Sequence, residues 1–576
     1  MTETTSQVPE KLSASTAARI GWSILILATL YVCYFSHLGA IGFVGPDEPR
    51  YAWIARDMVE TGDWVTPRLY GKPWFEKPPL FYWSAALCFK LFGVSEAAAR
   101  LPSAISALLA TLALAWLALR LYGAETARWL LLLLPTTVGM IGFSHAAATD
   151  MPFSGMLTIA MVAAAVVLGL VPRTATLSLS FAAFTPSTFL ASVLFGFFLG
   201  LAVLAKGPAS VILCGGAIFF WALFTKRWRD AFRLFHPAGI ITFCVTALPW
   251  YILCARRNPD FFRIFIIEHN FKRYLTPEFQ HIQPFWFYIP ILFLGCLPWT
   301  LLLLPAAMEL KETFRQRLES GATAIFLACW SLFPFFFFTL SKSKLPGYIL
   351  PTIPILVLFC SRGLTQLLSQ SGAFNRTILF VTSLVPPILV AAALRYSHRG
   401  FCLSPFASFF NKLGYQLEIA FALFGLLVYL AILAAPVLIL LGRTRIGVFC
   451  TLTGLAVFLW IAGLTIAPRM DCTLSPRIES HGIAEIADPS VQLLLCNVPR
   501  SYSYGYAFYF RRELPEWNRR PSEKRTMVIL GPACWDEIKK PNHHLQFEPI
   551  GELLPWPVLR VEPLSADSPP DSGKPQ

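Results

Sequence analysis

The sequence predicts an α-helical integral membrane protein that carries a small α/β domain near its C-terminal end. Three observations predict it. Hydrophobic residues make up 56% of the 576 and charged residues only 14%, with a mean hydropathy of +0.58; soluble domains carry roughly 25% charge. Apolar stretches of about 20 residues, the length that crosses a bilayer, recur along the chain as far as Ala467. Beyond Ala467 the composition turns charged and proline-rich.

About thirteen spans are read on the length criterion: 19–41, 97–120, 125–144, 152–171, 186–205, 207–225, 234–254, 285–305, 322–340, 346–366, 376–395, 417–441 and 446–467. Residues 1–18 are polar and lack the short apolar core and small-residue cleavage site of a signal peptide. They read as a cytoplasmic segment, with the first apolar run a retained anchor. If Arg19 is cytoplasmic, then Arg120, Arg128, Arg173, the Lys226–Arg229 run, Lys311 to Arg317, Arg362, Arg376, Arg443 and Arg445 all fall on the same side. The positive-inside rule is then obeyed loop after loop. Thirteen crossings place the C-terminus outside. The net charge of +14 is therefore explained by topology, and nucleic acid is not an expected partner.

Two long loops, 42–96 and 255–284, and the turn at 341–347 share the external face. In the first loop, YAWIARDMVETG has apolar residues at helical spacing and reads as an amphipathic helix in the membrane interface, with Arg56 and Asp57 on its polar face. FYWSAALCFKLFG reads as a second. Trp64, Trp74 and Trp83 suit the headgroup level.

Residues 470–564 carry short apolar runs, VQLLLC (491–496), YGYAFYF (504–510) and TMVIL (526–530), between turns and a helical RIESHGIAEIA. That pattern fits a small extracytoplasmic α/β domain; residues 565–576 read as a disordered tail. The thirteen cysteines include no CxxC pair, so a zinc ribbon or redox motif is not indicated. Cys472, Cys496 and Cys534 fall in the outer domain, where an oxidising compartment allows one pair to bridge.

The chemistry is expected where charge crowds between apolar spans, because ionisable groups there are costly to desolvate. Asp47 and Glu48 follow the first span, and Glu76 and Lys77 stand before Pro78 and Pro79. Asp150 opens a span; Glu268 and His269 precede Lys272 and Arg273; Lys342, Lys344 and Tyr348 lie in SKSKLPGY; Lys206 sits inside GLAVLAKGPASVIL. Carboxylates with several cations suit an anionic ligand held beside a base. Lys and Arg complement phosphate oxygens, and an Asp orients or deprotonates a nucleophile. Simpler readings exist for Glu48, as a helix-capping acid, and for Lys342 and Lys344, as lysines reaching the headgroups. A Lys-x-Lys on the external face nevertheless opposes the positive-inside bias.

The blocks GPDEPRYAWIARDM, GDWVTPRLYGKPWFEKPPLFYW and FGVSEAAARLPSA, followed by TDMP at 149–152, LAKGP at 204–208, LPW at 297–299 and SKSKLPGYILP at 341–351, closely resemble the bacterial GT-C membrane glycosyltransferases that include the lipid A aminoarabinose transferase. The protein O-mannosyltransferases are more distant members. The resemblance covers residues 19–469 and is weak over 470–576. It implies a GT-C fold in the bacterial inner membrane with a site on the periplasmic face. The implied donor is a polyprenyl-phosphate-linked sugar, and the acceptor is lipid A or another surface glycan or protein. Carried over, Asp47 is the catalytic carboxylate and Asp150 the second acid, and Glu48 beside Asp47 is counted with them as a catalytic candidate. Lys77, Lys206, Arg273, Lys342, Lys344 and Tyr348 line the donor phosphate and lipid. Glu76 and His269 resemble residues that hold a divalent metal ion, which the reading does not require as a cofactor. A lipid-linked-sugar transporter is disfavoured, since the sequence has no repeated pair of broken helices.

Overall fold

The computed structural model describes residues 8–172, 187–275, 282–308, 321–370, 372–397, 425–486, 491–517, 526–531, 534, 545–551 and 558–563. Among them, eight helices are long and apolar enough to cross a membrane, or up to ten if each of two sharply bent pairs is one span. The chain is a mostly helical, multi-span membrane protein.

The elements that set up the site are α1 (Val8–Tyr34), α2 (Asp47–Thr61), the two-residue strands β1 (Arg68–Leu69) and β2 (Lys72–Pro73), α3 (Leu80–Phe92), α4 (Glu96–Tyr122), α5 (Ala124–Leu133), α6 (Val138–Ser144), α7 (Asp150–Val167), α8 (Thr188–Lys206), α9 (Ala209–Thr225) and α10 (Pro237–Arg257). In lipid, small residues let helix backbones approach where no hydrophobic force gathers them. A Cβ on Gly155 of α7 would stand 2.7 Å from the Ser106 carbonyl oxygen of α4. Gly196 of α8 sits as tightly on Gly239 of α10. These contacts join α4 to α7 and α8 to α10, and α7 packs along α8 with Asp150 and Lys206 paired at one end of the bundle.

Two spans are broken. α5 and α6 meet at 59°, and Tyr288–Gly295 meets Thr300–Met308 at 102°. A break frees backbone groups that lipid cannot satisfy, and here the two breaks supply each other: the Val138 amide donates to the Leu297 carbonyl at 3.0 Å, and Trp299 Nε1 donates to Thr136 Oγ1 at 2.9 Å.

The first loop is a packed layer over one end of the bundle. Phe43, Tyr51, Ile54, Met58, Phe81 and Tyr82 form a single apolar cluster of α2 and α3. The second loop joins it through Phe75, Trp250, Phe261 and Phe265, and Trp250 Nε1 donates to the Val65 carbonyl at 2.9 Å. α2 differs from the interfacial helix expected. Arg56 is buried rather than solvated: it donates to the Phe508 carbonyl at 3.0 Å and lies between the Trp53 and Phe508 rings at 4.4 and 4.6 Å. The C-terminal domain covers the face that the sequence assigned to water.

That domain holds a four-stranded sheet in the order β3 (Gln492–Cys496), β4 (Thr526–Leu530), β6 (Val558–Pro563), β5 (Leu545–Gly551). β3 and β4 are parallel, joined through the helix Arg500–Phe510; the other two pairings are antiparallel. VQLLLC and TMVIL are thus strands while YGYAFYF is helical; side chains two apart on a helix point to opposite sides, so Tyr506 packs against Ile483, Val491 and Leu495 while Phe508 packs into the cluster of the first loop. Of the cysteines, Cys496 bridges Cys534, and Cys472 is also disulfide-bonded. The domain is tied to the first loop by the Gly42 amide on Asp471 at 2.7 Å, by Arg477 on the Gly39 and Ala40 carbonyls at 2.9 and 3.0 Å, and by Tyr509 on Glu96 at 2.9 Å.

Arg100 of α4 fixes the entry to α2. Its guanidinium binds both oxygens of Glu48, at 2.9 and 2.7 Å, and the carbonyls of Leu38, Ile41 and Gly42. Glu48 in turn accepts from the amides of Val44 and Ala147 at 2.7 and 2.6 Å. Removing one member of a buried, fully bonded ion pair typically costs about 3–5 kcal/mol. Arg100→Ala is therefore expected to lower the thermal unfolding midpoint in detergent markedly. A midpoint within about 1 °C of wild type, on the order of 1 kcal/mol for a chain of this size, would show that the clamp does not hold the loop.

Candidate active site

Two carboxylates stand at the N-terminal ends of two helices, where free amides and the helix dipole favour negative charge. Asp47 is the first residue of α2 and Asp150 the first of α7. Each has a cation. Asp47 pairs with Arg50 one turn along α2, and Asp150 pairs with Lys206 at the last position of α8. Arg50 also reaches Glu76 at 3.2 Å, and Glu76 lies 3.8 Å from Lys77 Nζ. The result is a chain of alternating charges along one end of the bundle. Asp47 remains open, with 49% of its side chain exposed against 8% for Arg50. Burial of its surroundings pushes the Asp47 carboxyl above the ordinary range, Arg50 opposes this, and Glu76 and then Asp150 reinforce it. Glu76 and Asp150 thus both act on Asp47.

The turn Ser341–Tyr348 closes the second side. Lys206 Nζ lies 4.7 Å from the centre of the Tyr348 ring and 5.1 Å from that of Phe153. Gly347 passes so close to Asp150 that a Cβ would stand 2.6 Å from Oδ1. The second loop reaches the same turn, as the Lys342 amide donates to the Tyr274 carbonyl at 3.0 Å. The structure thus brings Asp47, Glu76, Lys77, Asp150, Lys206 and Tyr348 together.

Other residues stand differently. Glu48 is buried with its carboxylate engaged by Arg100 and two backbone amides, the geometry of a structural anchor. Lys344 is buried and donates to the Ser341 and Gln283 carbonyls at 2.6 and 3.3 Å, while Lys342 is exposed. Burial depresses the Lys344 ammonium below its usual range. His269 and Glu268 lie on the π-helical stretch Arg263–Lys272, where Glu268 pairs with Arg263 at 2.6 Å. The side chain of Arg273 lies outside the described residues.

A protein-family profile described as dolichyl-phosphate-mannose-protein mannosyltransferase matches residues 22–265. The undecaprenyl phosphate-alpha-4-amino-4-deoxy-L-arabinose arabinosyl transferase of Enterobacter sp. (strain 638) is 31% identical over 377 residues, covering 64% of this chain and 65% of that relative. Its counterpart in Pseudomonas aeruginosa (strain UCBPP-PA14) is 32% identical over 376 residues, 65% of each chain. The chain is homologous to these arabinosyl transferases. The match spans 65% of the length of these curated relatives. The crystal structure of ArnT from Cupriavidus metallidurans bound to undecaprenyl phosphate shares the fold, with a TM-score of 0.70 and 24% identity over 94% of this chain and 98% of that one.

The resemblance also raised a divalent ion at Glu76 and His269. Glu76 is engaged by Arg50 and Lys77, and among the described residues no three His, Cys, Asp or Glu side chains group as metal ligands would. No step is drawn through a metal.

Sequence reasoning missed Arg50. The available signal was its place three residues after Asp47, which puts both on one helix face.

Gly347→Ala is expected to push the turn off Asp150 at a cost of about 1–3 kcal/mol, as overpacking does, and to lower the melting temperature. Gly142→Ala, in α6 with open space around it, is the control and should be neutral or mildly stabilising. Equal melting curves for the two variants would show that Gly347 does not seat the carboxylate.

Proposed function

We propose that this protein transfers 4-amino-4-deoxy-L-arabinose from an undecaprenyl phosphate donor to lipid A, at the periplasmic face of the bacterial inner membrane. The observation that carries the reading is the pair of helix-terminal acids, Asp47 and Asp150, each beside a cation at one end of the bundle, in a chain homologous to enzymes named for that reaction. Eight long helices and two bent pairs support a many-span reading; the thirteen spans read from the sequence follow if the shorter Ala18–Tyr34, Ala209–Thr225 and Gly425–Leu440 are counted as crossings and Leu80–Phe92 is not. On that count residues 1–18 are cytoplasmic, 19–469 form the catalytic unit and 470–564 lie outside.

The reaction is an inverting displacement. The acceptor oxygen attacks the anomeric carbon as the bond from that carbon to the donor phosphate oxygen breaks, and undecaprenyl phosphate leaves. Lys77 and Lys206 hold the donor phosphate, with Arg273 and the exposed Lys342 at its approach and the Tyr348 ring beside the lipid. Charge grows on the departing phosphate, so cations that bind it more tightly as the bond breaks lower the barrier. Asp47, the open carboxylate, orients the acceptor and takes its proton where the acceptor is a hydroxyl; an ionised lipid A phosphate gives up none. Asp150 holds Lys206 in place. Glu48 and Lys344 serve as structural anchors.

The mannosyltransferase profile favours a second reading, transfer from the same donor class to a protein or polysaccharide hydroxyl. Purified protein given undecaprenyl phosphate–aminoarabinose and lipid A should release undecaprenyl phosphate and modified lipid A; release only with a peptide or glycan acceptor would favour the second.

Asp47→Asn should keep the fold and lower kcat about 10²-fold, the scale of a mispositioned acceptor, and further where the acceptor is a hydroxyl that must give up its proton. The active form is the anion and burial raises its pKa, so wild-type rate should fall on acidification from a pH above the ordinary carboxylate range, with the limb absent in the variant. Wild-type turnover by Asp47→Asn would place the working carboxylate elsewhere. Topology has its own test. A reporter active only in the periplasm, fused after Ala467, should be active, and activity from a cytoplasm-only reporter there would require an even number of spans.

A further inference from the structure

Arg50 touches both acids of the first loop, Asp47 by an ion pair and Glu76 at 3.2 Å. Its guanidinium is ringed by aromatic faces. Tyr51 and Trp74 stand 5.3 Å from it and come from the first loop; Tyr504 stands 5.5 Å away and comes from the C-terminal domain. Tyr504 is itself held. Its ring stacks on Tyr70 at 6.5 Å, its hydroxyl accepts from Arg500 at 3.3 Å, and its helix is fastened to α2 where Arg56 grips the Phe508 carbonyl.

We infer that Tyr504 is a positioning residue for the transfer: it closes the third face of an aromatic cage around Arg50 and so fixes Asp47 and Glu76 against the rest of the site. The inference rests on the catalytic role proposed for Asp47. An aromatic face stabilises a guanidinium most when water is excluded, and the pairings Arg50 makes weaken as the local dielectric rises. Without the ring, water reaches Arg50 and the guanidinium gains room to turn. A misplaced reacting group loses rate steeply, on the order of 10²-fold for 1 Å. Tyr504 has no part in the donor-phosphate contacts proposed for Lys77 and Lys206, so the loss should fall on turnover and leave donor affinity alone.

Tyr504→Ala is therefore expected to lower kcat about tenfold with the donor KM unchanged within about twofold, and Tyr504→Leu, which keeps bulk without a π face, should behave alike. Tyr504→Phe should restore turnover, because the ring and not the hydroxyl covers Arg50. A second measurement needs no substrate: phenylglyoxal labelling of Arg50, followed by peptide mass spectrometry, should be several-fold faster in the Ala and Leu variants than in wild type or Tyr504→Phe. Unchanged labelling overturns the inference, as does faster labelling with wild-type kcat, or a Phe variant as impaired as the Ala variant. If the wild-type protein moves no aminoarabinose, the substrate reading fails, and the labelling result alone decides whether Tyr504 shields Arg50.

Discussion

The buried pair of Arg100 and Glu48 is the constraint on which the rest of the site depends. Arg100 gathers three carbonyls from the end of the first span and holds the Glu48 carboxylate, which fixes the start of α2. The same carboxylate takes the Ala147 amide, three residues before Asp150. One ion pair therefore sets the origin of both helices that present acids. Its oxygens are saturated by design: a buried charge left partly bonded would cost more than the pair returns, so an acid that anchors this firmly has no capacity left for chemistry. Its neighbour Asp47, one residue earlier on the helix, is turned toward open space and keeps that capacity.

The balance of charge in the site follows from the same economy. Asp150 and Lys206 meet at one end of the bundle where their two helices pack together, and each neutralises the other in a place where neither would be stable alone. Arg50 does the same for Asp47 and Glu76. A phosphate entering between Lys77 and Lys206 meets cations already engaged with Glu76 and Asp150.

Much of this was legible in the sequence because charge inside apolar surroundings stands out. Asp47, Glu76, Lys77, Asp150 and Lys206 were each conspicuous against their flanks, and the structure gathers them. The helical segments were legible for the same reason, from apolar runs with basic loops between them. What the sequence could not display was cover from distant chain. Arg56 reads as a solvated helix face until the Phe508 helix lies on it, and Tyr504 belongs to a region with no local hint of catalysis. Lys344 and Lys342 are indistinguishable as letters, yet the turn buries one and exposes the other. Glu48 and Asp47 are adjacent acids whose roles diverge only once Arg100, some fifty residues later, chooses between them.

The fastenings of the first loop differ in when the chain supplies them. Arg100 and Ala147 follow soon after Asp47, whereas Asp471, Arg477, Phe508 and Tyr509 come more than 400 residues later. The anchors below the acids are thus translated well before the residues that cover the loop from above. A segment translated long after the first helices roofs the centre that those helices hold. An arrested or shortened chain would carry both carboxylates in register and still lack the roof over them.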